Sequence, residues 1–205
     1  MPTRAIDPQM LDCRDVYGLL TSLVVPRPIA WVSTVDVAGR RNLAPHSYFN
    51  ICSQSPPILH FTQGGVKDSV RNAEATGEFV ISLVNRDLLE KMNITSADFP
   101  PEEDEFSWAN VEATPSMLVS PPRVTTSPAS FECRVHKILR IGSGHMVFGE
   151  VVQIHVAQDV FDGHRIDPLA LGAVGRLGGT CYSFISEVEE LARPTWEQLQ
   201  GRGSS

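Results

Sequence analysis

The sequence predicts a mainly β protein with short helices (α+β), folded as a mostly antiparallel barrel. Three observations predict it. Six or more apolar, β-branched stretches of strand length are separated by Gly, Pro and Asn/Asp turn signals. The two longest, residues 130–141 and 145–157, are joined by Gly142-Ser143-Gly144, a hairpin connection. The helical patterns between the strands are all short.

In chain order, residues 11–23 carry Val16, Leu19, Leu20 and Leu23 at helical spacing, with Asp15 near the start. Pro26 and Pro28 stop that helix and force an extended entry into a strand at 29–36. Val37-Ala38-Gly39-Arg40 makes a turn, a second strand runs over 42–53, and Pro56-Pro57 separates it from a third at 58–62. Gln63-Gly64-Gly65 breaks the chain before a helix at 67–76, closed by Gly77. Residues 78–85 read as a largely apolar strand and 86–93 as a short helix. Residues 96–122, rich in Pro, Glu, Asp and Ser, read as a surface excursion with one helical turn near 105–110. A connection of that length usually serves or covers a site. After the long hairpin, Asp162-Gly163 marks a turn, 169–179 a glycine-rich loop, 180–185 a last strand, and 193–205 a polar tail.

With 205 residues the chain is long enough to bury a sizeable core, and it reads as one domain over 1–205 with its core at about 17–185. Net charge is −7 with no block of Lys or Arg, which excludes a phosphate backbone or an anionic membrane as the expected partner. No apolar run approaches the roughly 20 residues that span a bilayer, and no leader pattern opens the chain, so the expected location is cytoplasmic. Cys13, Cys52, Cys133 and Cys181 are far apart with no C-x-x-C pair, so neither zinc-site spacing nor a disulfide framework is present. Cys52 and Cys133 read as core residues. The histidines give no metal set, and His60, in an apolar strand, reads as structural. His145 opens a strand directly after a Gly-Ser-Gly turn and is the one histidine expected on a rim, near a substrate. Glu102, Glu103, Asp104 and Glu105 read as a solvated acidic run.

Three sets of residues could carry chemistry. Ser33, Thr34, Asn42, Ser47, Asn50 and Ser53 crowd the first three strands; either they line something polar or they face water. Ser33 and Thr34 point to opposite faces unless the strand ends or bulges there. Gly64-Gly65-Val66-Lys67-Asp68-Ser69 leads into a helix whose free N–H groups and dipole favour an anion, with Lys67 adding a full charge. Asp68 could instead cap those donors itself. Gly175-Arg176-Leu177-Gly178-Gly179 presents a guanidinium suited to a phosphate or a carbonyl edge, or is simply a surface turn.

The order of the motifs resembles the flavin reductase-like family with the FMN-binding split β-barrel fold. It runs through Arg27-Pro28-Ile29-Ala30-Trp31-Val32-Ser33-Thr34, Asn42-Leu43-Ala44-Pro45, Ser47-Tyr48-Phe49-Asn50, Pro56-Pro57 and Lys67-Asp68-Ser69 with Asn72. Thr76-Gly77-Glu78-Phe79, Phe148-Gly149-Glu150-Val151 and Gly175-Arg176-Leu177-Gly178-Gly179 with Tyr182 complete it, over roughly 17–182. The resemblance implies a homodimer with two FMN sites at its interface. It places Ser33, Thr34, Lys67 and Ser69 around the FMN phosphate, and Asn42, Ala44, Ser47, Tyr48, Phe49 and Asn50 along the ring and ribityl chain. Arg176 would close the site, and Arg27 and Arg176 are the next cations within the motif for the phosphate. His145, three residues ahead of Phe148, loosely matches a histidine associated with the nicotinamide. The implied activity is hydride transfer from NAD(P)H through FMN to free flavin or another acceptor. A non-catalytic FMN-binding electron carrier or storage protein, or a barrel without flavin, are the alternatives. No G-x-G-x-x-G follows a strand, so the nicotinamide would stack on the flavin itself.

Overall fold

The computed structural model describes residues 1–200. Its first half comprises α1 (Cys13–Leu23), β1 (Arg27–Pro28), β2 (Ala30–Val35), β3 (Arg41–His46), β4 (Phe49–Gln54), β5 (Pro57–Gly64), α2 (Asp68–Thr76) and β6 (Glu78–Ser82). Then come α3 (Leu89–Ile94), α4 (Glu105–Trp108), β7 (Ala113–Thr114), β8 (Arg123–Val124), β9 (Ala129–Ile141) and β10 (Gly144–Val156). The chain continues through α5 (Pro168–Leu171), β11 (Val174–Arg176), β12 (Tyr182–Phe184) and α6 (Trp196–Gln200). Residues 201–205 of the polar tail lie outside the described residues.

Seven strands form one antiparallel sheet in the order β3-β2-β6-β9-β10-β5-β4. Its two edges, β3 and β4, are consecutive in the chain and joined only by Ser47 and Tyr48. Laid flat, those edges would be about 29 Å apart at the usual ~4.8 Å per strand. Two residues reach only about 10 Å. The sheet must therefore roll until its edges approach, and the N–H of Thr62 donates to the Tyr48 carbonyl at 2.8 Å, extending the β4–β5 ladder up to the corner. Sequence patterning expects one strand over 42–53; it is instead two strands on opposite edges, because the chain turns the barrel's corner at Ser47-Tyr48. A three-stranded sheet β1-β11-β12 flanks this corner, so part of the expected 169–179 loop is in fact strand and helix.

β2 is buried on both faces. Ala30 and Val32 point into the barrel with Phe61, Phe79, Ile81 and Val147, where α2 plugs one end with Val70 and Ala73. Trp31 faces outward into a second cluster with Leu43, Met92, Phe106 and Val111. Its indole N–H donates to Thr95 Oγ1 at 2.8 Å, which satisfies the ring's polar end. The excursion over 96–122 is thus mainly the cover of the sheet's outer face, with α4 where one helical turn is expected. Glu105 is not solvated as expected: it is buried and accepts the Leu43 N–H at 3.1 Å. Further along, the fully buried Glu132 accepts the N–H groups of Met117 (2.8 Å) and Leu118 (2.6 Å) and a bond from His155 Nε2 at 2.6 Å. A buried carboxylate needs such donors, and here they pin the end of the excursion to β9.

The long hairpin forms as expected, through Gly142 at φ 58, a value that glycine adopts without strain. Cys133 is core, whereas Cys52 is exposed, because β4 is an edge strand with little covering it. Gly149 sits where β10 crosses the barrel interior: a Cβ there would lie 2.2 Å from Phe79 Cζ and 2.9 Å from Cys133 Cβ. Gly149→Ala is expected to lower the unfolding free energy by about 1–3 kcal/mol through overpacking, measurable by urea denaturation.

Candidate functional site

Three cavities converge on the Ser47-Tyr48 corner, and Ser47 lines all of them. One of about 240 Å³ is bounded by Arg27, Arg176, Tyr17 and Tyr182. A second, about 380 Å³, lies over Ala44, Tyr48, Lys67 and Asp98. The third, about 440 Å³, is walled by Tyr48, Phe49, Asn50 and His60. Together they make a groove along the seam where the barrel closes. Of the residues expected to bind a cofactor, the fold brings Arg27, Ala44, Ser47, Tyr48, Phe49, Asn50, Lys67 and Arg176 to this groove.

The N-terminus of α2 opens onto the second cavity. Lys67 is its N-cap residue and its side chain makes no capping bond. Asp68 does not cap the helix either; its carboxylate is paired with Arg71 one turn on. Lys67 Nζ reaches Asp98 at 2.6 Å across the groove. Both partners are largely exposed, and such a pair is weak and readily exchanged for a better anion. Contact with Lys67, by hydrogen bond and by charge, holds the Asp98 carboxyl below its ordinary value.

Four other expected residues lie beneath the groove wall or behind it, with their polar atoms bonded internally. Ser33 is fully buried on the outer face of β2 and donates to the Pro122 carbonyl. Thr34, on the opposite face, accepts from Asn42 Nδ2 (3.2 Å) and Asn72 Nδ2 (3.1 Å). Asn42 Nδ2 also reaches Ser69 Oγ at 3.2 Å, and Ser69 Oγ lies 3.2 Å from His46 Nε2. The alternation of β2 separates Ser33 from Thr34, and the packing of α2 on β2 and β3 buries the rest. His145 faces Gln63 and Arg140 across the sheet and lines none of the three cavities; its Nδ1 is buried without a hydrogen-bond partner.

Sequence reasoning passes over His46, the last residue of β3, which lines the second cavity beside Lys67. Ser69 Oγ, which accepts from Asn42, also shares a hydrogen bond with His46 Nε2 and so ties the ring to α2. Burial, then the positive charge of Lys67, lowers the His46 pKa from 6.5 to about 4. His60 belongs to the third cavity rather than only to the core, and its Nδ1 has no partner.

Arg27 is 7% exposed. It donates to the carbonyls of Thr21, Val24 (2.8 Å) and Leu177 (3.0 Å), and to Ser47 Oγ at 3.4 Å. It thereby ties the C-terminus of α1 to the corner and to the 175–179 turn. Glycine is required in that turn: a Cβ on Gly175 would lie 2.7 Å from Pro26 Cβ, and one on Gly178 2.3 Å from Ser22 Oγ. This close approach sets Arg176 against Tyr182, 4.6 Å above its ring. Arg176 also donates to the Tyr182 hydroxyl and the Gly179 carbonyl. Among the described residues no helix is long and apolar enough to cross a membrane, and no His/Cys/Asp/Glu cluster could hold a metal.

The lowered value of His46 has a consequence for stability. The unfolded chain takes up this proton near pH 6.5 and the folded chain only near 4. The fold therefore loses stability as pH falls through that window, by about 2–3 kcal/mol between pH 7 and 4.5. His46→Gln is expected to remove this share, giving a shallower loss than wild type in urea unfolding at the two pH values.

The model of the flavin reductase like domain matches residues 22–172. Nitrilotriacetate monooxygenase component B from Bacillus cereus is similar in structure with a TM-score of 0.90 and 32% identity, over 93% of this chain and 100% of that one. The 2-nitrobenzoate 2-nitroreductase of Pseudomonas fluorescens gives 0.88 and 31%, over 94% and 98%. A split-barrel structure from Shewanella frigidimarina, 22% identical over 91% and 96% with a TM-score of 0.83, shares the fold. A mostly antiparallel barrel split at the Ser47-Tyr48 corner, with the matched domain spanning most of its length, places this chain in the flavin reductase-like family.

Proposed function

We propose that the groove binds FMN and that the protein is an oxidoreductase carrying hydride equivalents from NAD(P)H to free flavin or another small acceptor. The observation that carries this reading is the start of α2 at the corner cavity, where Lys67 and Gln63 line the wall and Gln63 Oε1, 3.3 Å from the Val70 N–H, is the side chain a phosphate would displace. The donor set fits a phosphate: first-turn N–H groups, an ammonium and a helix dipole converge there, opposed by the exposed Asp98 and by Asp68, whose charge Arg71 offsets. Family membership supports a flavin in that place.

In this reading Lys67 and the first turn of α2 hold the phosphate. Ala44, Ser47, Tyr48, Phe49 and Asn50 support the ring and ribityl chain along the corner. Ser69, Asn42 and Thr34 act from beneath, fixing α2 on β2 and β3, and Ser33 fixes the excursion. The hydride chemistry would be supplied by the bound flavin; these side chains bind, orient and exclude water. We further propose a homodimer, since Tyr17, Leu20, Tyr48 and Ile51 expose apolar surface around the groove.

Lys67→Ala is expected to weaken FMN binding about ten- to a hundredfold, the worth of a charge-assisted contact. Riboflavin, without the phosphate, should bind wild type and variant alike in fluorescence titrations. An equal loss for both ligands would make Lys67 structural. Sustained NAD(P)H oxidation with excess flavin tests the catalytic half of the proposal, and its absence despite FMN binding would leave a carrier.

A further inference from the structure

The cavity at the Arg27–Arg176 end of the groove has a charge that nothing in the protein answers. Its lining includes two guanidinium groups and no carboxylate. Neither arginine forms an ion pair among the described residues; their partners are backbone carbonyls and hydroxyls. For Arg27 the C-terminal carbonyls of α1 offset part of the cost of burial, and most of its donors are used. Arg176 differs. A guanidinium has five N–H donors, and those on Tyr182 and Gly179 leave Nε–H and one N–H on each terminal nitrogen. Stacking on Tyr182 fixes the plane in which these are presented.

The remaining walls mix apolar and aromatic side chains, Ile29, Pro45, Met92, Tyr17 and Tyr182, with the neutral polar groups of Thr21, Ser47, Asn93 and Ser96. The volume, about 240 Å³, falls below the ~300–1,000 Å³ of pockets for drug-sized ligands. It suits one ring with a short substituent and is too small for a dinucleotide. A fixed positive charge, a fork of free donors and two tyrosine rings among neutral walls match a planar acid. We propose that this cavity binds a small aromatic carboxylate, with the carboxylate held by Arg176 and its charge balanced by the buried Arg27. That this ligand lies beside a flavin rests on the function proposed above; that the cavity selects a carboxylate does not.

The test uses the full chain with benzoate and its neutral analogue benzamide as probes in calorimetric titrations, without flavin and with FMN at saturation. Benzoate is expected to bind saturably and at least tenfold more tightly than benzamide. Arg176→Gln should weaken benzoate at least tenfold, Arg176→Lys should recover part of that loss, and saturating FMN should leave benzoate affinity within a few fold. The proposal is overturned by absent benzoate binding, by equal affinity for the two probes, or by an unchanged affinity in Arg176→Gln. Exclusion of benzoate by FMN would overturn it too, since the cavity would then belong to the flavin. A failure of the flavin reading is separately visible in the FMN titration without benzoate. The comparison of probes on wild-type protein does not depend on any variant folding.

Discussion

The two-residue connection between β3 and β4 is the constraint on which the rest of this structure depends. Because Ser47 and Tyr48 cannot bridge a flat seven-stranded sheet, the sheet closes on itself, and the seam lies where they turn. The edge strands β3 and β4 are brought together there but do not pair among the described residues, so β4 keeps an exposed edge. Here the closure is loose enough at one corner to leave a groove. The Arg27 guanidinium stabilises that corner from behind, holding α1, Ser47 and the Leu177 turn together. The same residues that close the fold therefore line the groove.

A consequence of closure is that β2 has no solvent face. Its inner side chains meet α2 and the barrel core, and its outer ones meet the excursion and α3. Polar residues on such a strand must be satisfied by the protein itself. Thr34 belongs to a chain running through Asn42 and Ser69 to His46, while Ser33 bonds to Pro122. This chain ends at the groove with a neutral imidazole beside Lys67, so the burial that fixes α2 also sets the protonation state of a groove residue.

Charge is distributed unevenly along the groove. At the α2 end a lysine is met by an exposed aspartate, an arrangement easily exchanged for a ligand's anion. At the other end two guanidiniums meet no acid at all. The whole chain is acidic, at −7, so this local positive character is a property of placement and not of composition. Arginines 149 positions apart in sequence reach one cavity because β1 pairs with β11, with Arg27 opposite Arg176 in register.

Strand-length apolar runs, the Gly142-Ser143-Gly144 hairpin, the Gly77 cap and the ordered motifs determined the fold class and the family, because these are local patterns with local physical causes. Ala44, Ser47 to Asn50, Lys67 and Arg176, which line the groove, were singled out by local motifs and by the family resemblance. Tertiary structure decided what spacing cannot carry. It split 42–53 at the barrel corner, turned Thr34, Asn42 and Ser69 away from the groove, buried Glu105 and Glu132, and exposed Cys52. It also brought His46 to the groove. In each case the outcome depends on which element packs against a strand's second face. A period-two pattern tells which residues share a face, but only closure of the sheet determines whether that face meets water, a helix or a ligand.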